Sequence, residues 1–352
     1  MSGYRPIRVL IVDDSAFMRS ALKGMLKADA ELEVIDTARD GWEAIEKIEA
    51  LKPDIVTMDI EMPRMDGLTA LKIIMEVMPV PVLVVSSLTE EGAATTMVAL
   101  ELGAVDFVYK DLQYRSMNIM NIETMLVTKI KEIVGRKLEF KKSGKAKQEI
   151  VQVVSAKSLT RTHNVGIVAI GASTGGPKAL HDVIPYLPKD FLVPVLVVQH
   201  MPELFTKTFA ERLSSLSQLE VKEAEDGEVI EPGKVYIARG GIHMRARKAK
   251  SFESRIELSM FPEDLLYRPS VNVMMSSVAE VYHDRVLGVI MTGMGNDGTQ
   301  GLREIKEKGG KSLGQDEESC VVYGMPKCAQ EAGVVDKEVP LSALASEIVN
   351  LV

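Results

Sequence analysis

Short apolar runs alternate with helical patterns along most of the chain. Ile7 to Val12 is almost wholly apolar and ends in two acids, which predicts a buried strand. Ser15 to Ala28 predicts a helix with Phe17, Leu22, Met25 and Leu26 on its inner side. Further strands are expected at 33–35, 54–58, 81–85 and 105–108, separated by helices near 42–51 and 68–77 and followed by one near 119–134. Strands this uniformly apolar, each followed by a helix, indicate a parallel sheet covered on both faces.

The pattern breaks after Val134. Residues 135–164 are polar and carry Lys137, Lys141, Lys142, Lys145 and Lys147, with one short β-like piece at 150–154. This stretch predicts an interdomain linker between a first domain at 1–134 and a second at 165–352. The alternation then resumes with strands at 165–170, 193–198 and 285–291, the first and last leading into glycine turns and helices. Shorter strands at 234–238 and 254–260, expected to be antiparallel, make the second domain α/β with a mixed, mostly parallel sheet of doubly wound type.

Composition narrows the class without naming an activity. Hydrophobic residues make up 46% of 352 positions, enough for two cores without metals or disulfides. Cys320 and Cys328 have neither CxxC spacing nor zinc-ligand neighbours and are expected to be inert thiols. A net charge of −8 argues against nucleic acid as a partner. The start of the chain has no signal-peptide pattern, and no apolar run approaches the roughly 20 residues needed to span a bilayer. The expectation is a cytoplasmic protein that does not insert into membranes.

Candidate chemistry gathers at strand ends. Asp13 and Asp14 follow the first strand, Asp59 the third, Ser86 ends the fourth and Lys110 the fifth. In a parallel sheet these ends share one edge, where ligands bind. Three carboxylates there suit Mg²⁺, and with a hydroxyl and an ammonium they suit phosphoryl transfer to a carboxylate. Asp14 could alternatively cap the following helix. The set resembles the response-regulator receiver, a flavodoxin-like fold with a five-stranded parallel sheet. The resemblance implies that Asp59 accepts phosphate from a histidine kinase, that Asp13, Asp14 and Asp59 hold Mg²⁺, and that Ser86 and Lys110 sense the phosphoryl group. The run Met62-Pro63-Arg64-Met65-Asp66-Gly67 fits the loop after the phosphorylated Asp. Receivers usually carry Pro after the Lys, commonly in a cis bond; here Asp111 follows, which leaves that loop's geometry open.

In the second domain, Gly171-Ala172-Ser173-Thr174-Gly175-Gly176-Pro177 joins a strand to a helix. The run fits a nucleophile elbow, a phosphate-cradling glycine turn or a plain tight turn. A dinucleotide site is disfavoured, because the spacing is not G-x-G-x-x-G and Gln199-His200 ends the next strand where a ribose needs an acid. Asp297 lies in the glycine-rich loop Thr292 to Gly298 after a third strand. Ser173, His200 and Asp297 are therefore expected at one crevice, as nucleophile, base and orienting acid. Their chain order differs from that of α/β-hydrolases. His243 is the one rival histidine, with a binding-loop role as its reading. Met244, Met260, Met274 and Met275 are expected to fill the core.

These motifs, with Gln199-His200-Met201-Pro202, Tyr267-Arg268-Pro269-Ser270-Val271 and Cys320 to Pro326, resemble the chemotaxis protein-glutamate methylesterases of the CheB family. The resemblance implies hydrolysis of glutamate γ-methyl esters on methylated chemoreceptors, deamidation of receptor glutamines, and no cofactor for the esterase chemistry. Arg239 stands where that family more often has Pro. The rival class is a receiver joined to an output domain that acts by binding, such as a transcription regulator, which needs a basic recognition helix. The basic run Arg245 to Lys250 falls in an expected hairpin or loop.

Overall fold

The computed structural model describes residues 5–110, 116–135, 165–249 and 253–352, with α5 side chains from 122 onward. Asp111, His163 and the expected linker from 136 on lie outside the described residues. The described residues form two compact units.

In the first unit, β1 (Ile7–Val12), β2 (Leu32–Ala38), β3 (Ile55–Met58), β4 (Val82–Ser87) and β5 (Asp106–Lys110) make a parallel sheet in the order β2-β1-β3-β4-β5. The interleaved helices are α1 (Ala16–Lys27), α2 (Gly41–Leu51), α3 (Gly67–Val77), α4 (Glu90–Glu101) and α5 (Ser116–Val134). α1 packs against α5, while α2 packs against α3 and α3 against α4, so helices cover both faces. That is why Leu10, Ile11, Ile55, Val56 and Leu83 are fully buried whichever way they point. The strand order is that of the flavodoxin-like doubly wound fold. α1 differs from expectation in its inner face. Met18 joins Leu22, Met25 and Leu26 inside, and Phe17 is 71% exposed. Both neighbours are apolar, so the pattern leaves the choice open, and the start set by the Ser15 cap resolves it.

The second unit holds the strands β6 (Ile167–Ala172), β7 (Val195–Gln199), β8 (Glu220–Glu223), β9 (Lys234–Ile237), β10 (His243–Lys248), β11 (Ser254–Ser259), β12 (Val286–Ile290), β13 (Lys311–Gln315) and β14 (Lys337–Val339). Seven of them form one sheet, β14-β13-β12-β6-β7-β9-β8. Every pairing in it is parallel, including β7 with β9 and β8 with β9. The mixed sheet expected from the short strands thus resolves into a parallel sheet and a separate antiparallel ribbon, β10-β11. Lys234–Ile237 extends the parallel sheet, and only Ser254–Ser259 is antiparallel.

The helices of this unit are α6 (Gly176–His181), α7 (Glu203–Leu216), α8 (Val271–Tyr282), α9 (Thr299–Glu307), α10 (Met325–Glu331) and α11 (Leu341–Leu351). α8 packs against β6, α9 and the ribbon strand β10. Met244, Met274 and Met275 are fully buried in the core with Tyr236, Val271 and Val278. Met260 is not part of it: it follows the ribbon and is 44% exposed. Cys320 is buried and Cys328 partly so. No described helix is long and apolar enough to cross a membrane. Truncating a fully buried side chain removes its transfer energy and leaves a cavity, so Met274→Ala is expected to cost about 2–5 kcal/mol of stability. Met260→Ala is expected to stay within about 0.5 kcal/mol of the parent. Urea unfolding of the two variants measures both.

Candidate functional sites

The order of the first sheet brings the ends of β1, β3 and β5 to one edge. Asp13 and Asp59 are almost fully buried there and Asp14 is exposed. One carboxylate oxygen from each lies within 4.8 Å of the others, an all-oxygen set that fits Mg²⁺. Lys110 Nζ reaches Asp13 Oδ2 at 2.9 Å and Asp59 Oδ2 at 2.7 Å. Burial pushes the Asp59 carboxyl above its usual range, against the pull of Lys110 and with a further push from Asp13. Burial works to lower the Lys110 ammonium, but Asp59 and Asp13 outweigh it and hold it raised. The Asp59 backbone is approached closely by the turn into α3, since a Cβ on Gly67 would fall 2.2 Å from Asp59 O.

Ser86 is buried at the end of β4 with its hydroxyl turned to α4. It donates to Gly92 O at 3.1 Å and accepts from Thr96 Oγ1 at 2.7 Å. Asp14 is not the helix cap. Ser15 caps α1, and Asp13 Oδ1 accepts the Ser15 amide.

The second site forms where the winding of the larger sheet reverses. β6 lies between β7 and β12, so the chain leaves the sheet toward opposite sides from neighbouring strand ends, a crevice typical of ligand sites in open α/β folds. Ser173 follows β6, His200 follows β7 and Asp297 stands in the loop after β12. The His200 amide donates to Ala172 O, and the Ser173 amide to Thr292 O. A Cβ on Gly293 would meet Ser173 Cβ at 2.7 Å and Met325 Sδ at 2.3 Å, so only glycine lets this loop close on the Ser173 turn. Thr292 Oγ1 donates to Thr174 O at 2.9 Å and accepts from the Val322 amide at 3.0 Å.

His200 Nε2 meets Asp297 Oδ2 at 2.9 Å. The same carboxylate accepts Ser270 Oγ at 2.9 Å, the Val271 amide at 2.7 Å and the Asn272 amide at 2.9 Å. Asp297 therefore sits on the N-terminus of α8, where backbone donors and the helix dipole favour negative charge. Burial raises its carboxyl, but the His200 bond and the two α8 amides outweigh it and hold it below the ordinary range. An ionised Asp297 can only accept, so Nε2 carries the imidazole proton. Nδ1 is then the basic nitrogen; it is buried and without a hydrogen-bond partner among the described residues. Tyr267 stacks on the ring with centroids 4.1 Å apart and planes 7° from parallel.

The structure thus pairs His200 with Asp297 directly and brings Ser173 to the adjoining strand end, with no hydrogen bond from Ser173 Oγ to His200 among the described residues. His243 has a supporting place. It is fully buried, its Nδ1 accepts the Ser270 amide at 3.2 Å and its Nε2 lies 3.1 Å from Pro262 O. Burial, and secondarily Arg268 and Arg245, keep its pKa depressed, which suits a neutral ring in those two bonds.

Comparison with known proteins bears on both units. A family model described as CheB methylesterase matches residues 168–348, and one described as response regulator receiver domain matches residues 9–120. A protein-glutamate methylesterase/protein-glutamine glutaminase of Lawsonia intracellularis is 47% identical, over 97% of this chain and 98% of its own. One of Pyrococcus horikoshii is 46% identical, over 99% and 94%. The chain belongs to the CheB methylesterase family. The crystal structure of the Thermotoga maritima CheB methylesterase catalytic domain shares 45% identity and superposes with a TM-score of 0.52, covering 53% of this chain and 99% of that one.

Sequence reasoning reached the strand-end residues of this CheB-family chain but gave no role to the donors at the start of α8 that hold Asp297. Ser270, the cap of α8, carried a readable signal, since a Ser precedes an apolar helical run. That Asp297, far along the chain, would lie on that helix end had no local signal. Asn272 ties the two elements together, because its Oδ1 accepts the amides of Gly298 at 2.9 Å and Gly301 at 2.8 Å.

A depressed carboxyl contributes stability that is present above the unfolded-state pKa and lost as pH falls through the folded one. The Asp297→Asn variant is therefore expected to melt below the parent at pH 7, with the two curves converging below about pH 4. Calorimetry across that range measures the gap.

Proposed function

We propose that the chain hydrolyses glutamate γ-methyl esters on chemoreceptors to glutamate and methanol, and deamidates receptor glutamines. In this reading it acts as a serine hydrolase through Ser173, His200 and Asp297, and phosphorylation of Asp59 raises its rate. The observation that carries the mechanism is the buried His200–Asp297 pair on the strand end next to Ser173. His200 Nδ1 takes the Ser173 Oγ proton as that oxygen attacks the ester carbon. The same nitrogen then protonates the departing methoxide, which leaves as methanol. Water enters by the reverse proton path and releases the glutamate carboxylate from Ser173. Asp297, held by four donors, stays ionised and stabilises the imidazolium.

The Ser173–His200 bond forms with substrate in place, since such contacts are often long in free enzymes and tighten on binding. The Thr174 amide, directly after Ser173 and without an acceptor among the described residues, is positioned to donate to the developing oxyanion.

In the receiver, Asp13, Asp14 and Asp59 would hold Mg²⁺, which when bound neutralises phosphoryl oxygens. Lys110 supplies a second positive charge beside Asp59. Ser86 would have to turn from Gly92 and Thr96 to meet a phosphoryl oxygen. The phosphodonor is the chemotaxis histidine kinase, and the chain is a cytoplasmic enzyme. A binding output domain is disfavoured, since residues 245–248 of the basic run lie in β10 and not in a helix.

Methanol release from methylated receptor membranes tests the reading. Ser173→Ala is expected to lower the rate by about 10⁴-fold or more. A small-molecule phosphodonor is expected to stimulate the parent and leave Asp59→Asn unchanged. Full activity of Ser173→Ala would remove the mechanism, and stimulation of Asp59→Asn would remove the switch.

A further inference from the structure

Gln199 ends β7, one residue before His200, and its side chain turns inward beneath the Ser173 turn. The residue is 2% exposed. Its amide nitrogen lies 2.9 Å from Ser173 O and 3.2 Å from His200 O. The amide orientation is fixed by these partners, because exchanging nitrogen and oxygen would set an oxygen against two carbonyl oxygens. Space for the group depends on Gly176, where a Cβ would fall 2.0 Å from Gln199 Oε1. Oε1 has no hydrogen-bond partner among the described residues, so the side chain is not buried in a fully satisfied network. A half-satisfied amide in a dry interior weakens a fold and calls for another reason to be there.

That reason follows from where the ladder stops. β6 and β7 pair in register up to Ala172 and Gln199, and the His200 amide makes one more bond, to Ala172 O. Beyond that point the two chains part toward α6 and α7, carrying Ser173 and His200 with them. We propose that Gln199 is a positioning residue for ester hydrolysis, its single amide group clamping the peptide carbonyls of Ser173 and His200. Ser173 is then held from both sides, by Thr292 O on the β12 side and by Gln199 on the β7 side. The clamp fixes the path between Oγ and Nδ1, a distance the enzyme must close when substrate binds. Its effect falls on the chemical step and not on substrate affinity. The proposal rests on Ser173 and His200 being nucleophile and base.

The test uses full-length protein, saturating phosphodonor and methylated receptor membranes. Gln199→Met keeps length and burial and removes both donors. A misplacement of about 1 Å can cost on the order of 100-fold in rate, so kcat is expected to fall about 10- to 100-fold with KM within about threefold. Labelling of Ser173 by a fluorophosphonate should slow in step. Ser312→Ala is the structural control. Ser312 is equally buried in the same sheet, and its hydroxyl donates to Val334 O at 2.7 Å. This control is expected to lower the melting temperature and to keep kcat within about twofold of the parent.

A Gln199→Met kcat within threefold of the parent, or a loss matched by Ser312→Ala, would overturn the proposal. If Gln199→Met does not fold, Gln199→Glu carries the test. Its carboxyl can donate one bond only when protonated, so its kcat relative to the parent should rise as pH falls, and a flat ratio would count against the clamp. Ser173→Ala in the same assay separates the two readings. An inactive Ser173→Ala beside a fully active Gln199→Met rejects the clamp alone, whereas an active Ser173→Ala rejects the underlying site.

Discussion

The second unit is arranged around the burial of one negative charge. The Asp297 carboxylate is 6% exposed, and a lone ionised carboxylate that far from water would protonate instead. Two amides and a hydroxyl from the start of α8 prevent this, and His200 supplies the fourth contact. Each of these donors needs support. His243 accepts the Ser270 amide, which fixes the cap, and Asn272 binds the amides of Gly298 and Gly301 where α9 begins, which fixes the loop bearing Asp297. The ribbon strand that carries His243 packs on the same α8, so a seemingly peripheral hairpin belongs to the machinery that keeps the carboxylate charged.

The first unit meets the same electrostatic problem differently. Three acids crowd the end of its sheet, and one ammonium, Lys110, bridges the two that are buried. The compensation is incomplete, because the Asp59 carboxyl remains raised while the Asp297 carboxyl is lowered. A site left short of positive charge is ready to gain from a divalent cation, whereas a fully compensated one is ready to hold an imidazolium. Both are edges of parallel sheets reached by apolar strands. The difference lies in how many donors the neighbouring helix ends turn toward the acid.

This contrast explains what could be read from the sequence. Asp13, Asp59, Ser173 and His200 each stand just beyond a predominantly apolar strand, so β periodicity and a parallel sheet were enough to place them on shared edges. Asp297 was harder, since six residues separate it from the end of β12, yet its glycine-rich loop marked a close approach. The donors to Asp297 were not legible in the same way. Ser270 reads as a cap from local pattern, but which anion it serves is a contact across 27 positions. Phe17 and Met18 are both apolar and only the start of α1 decides between them. Lys234–Ile237 is short and polar at its start, and its parallel pairing depends on how the chain crosses back from β8, which composition does not encode. Met260 was misplaced because a methionine beside a strand pattern reads as core wherever the strand ends.

The orientation of His200 draws these strands together. With Nε2 committed to an acid held ionised, the proton of the neutral ring is fixed and Nδ1 is left without a hydrogen-bond partner among the described residues. That is the reverse of the arrangement in which Nδ1 meets the acid and Nε2 meets the serine. His200 stands immediately past its strand, with its peptide amide held by Ala172, and its Nε2 reaches the loop after β12. Tyr267 closes the face of the ring and limits its rotation between these two neighbours. The His200 ring is therefore set by three constraints of different kinds: a sheet register, a buried charge and an aromatic wall.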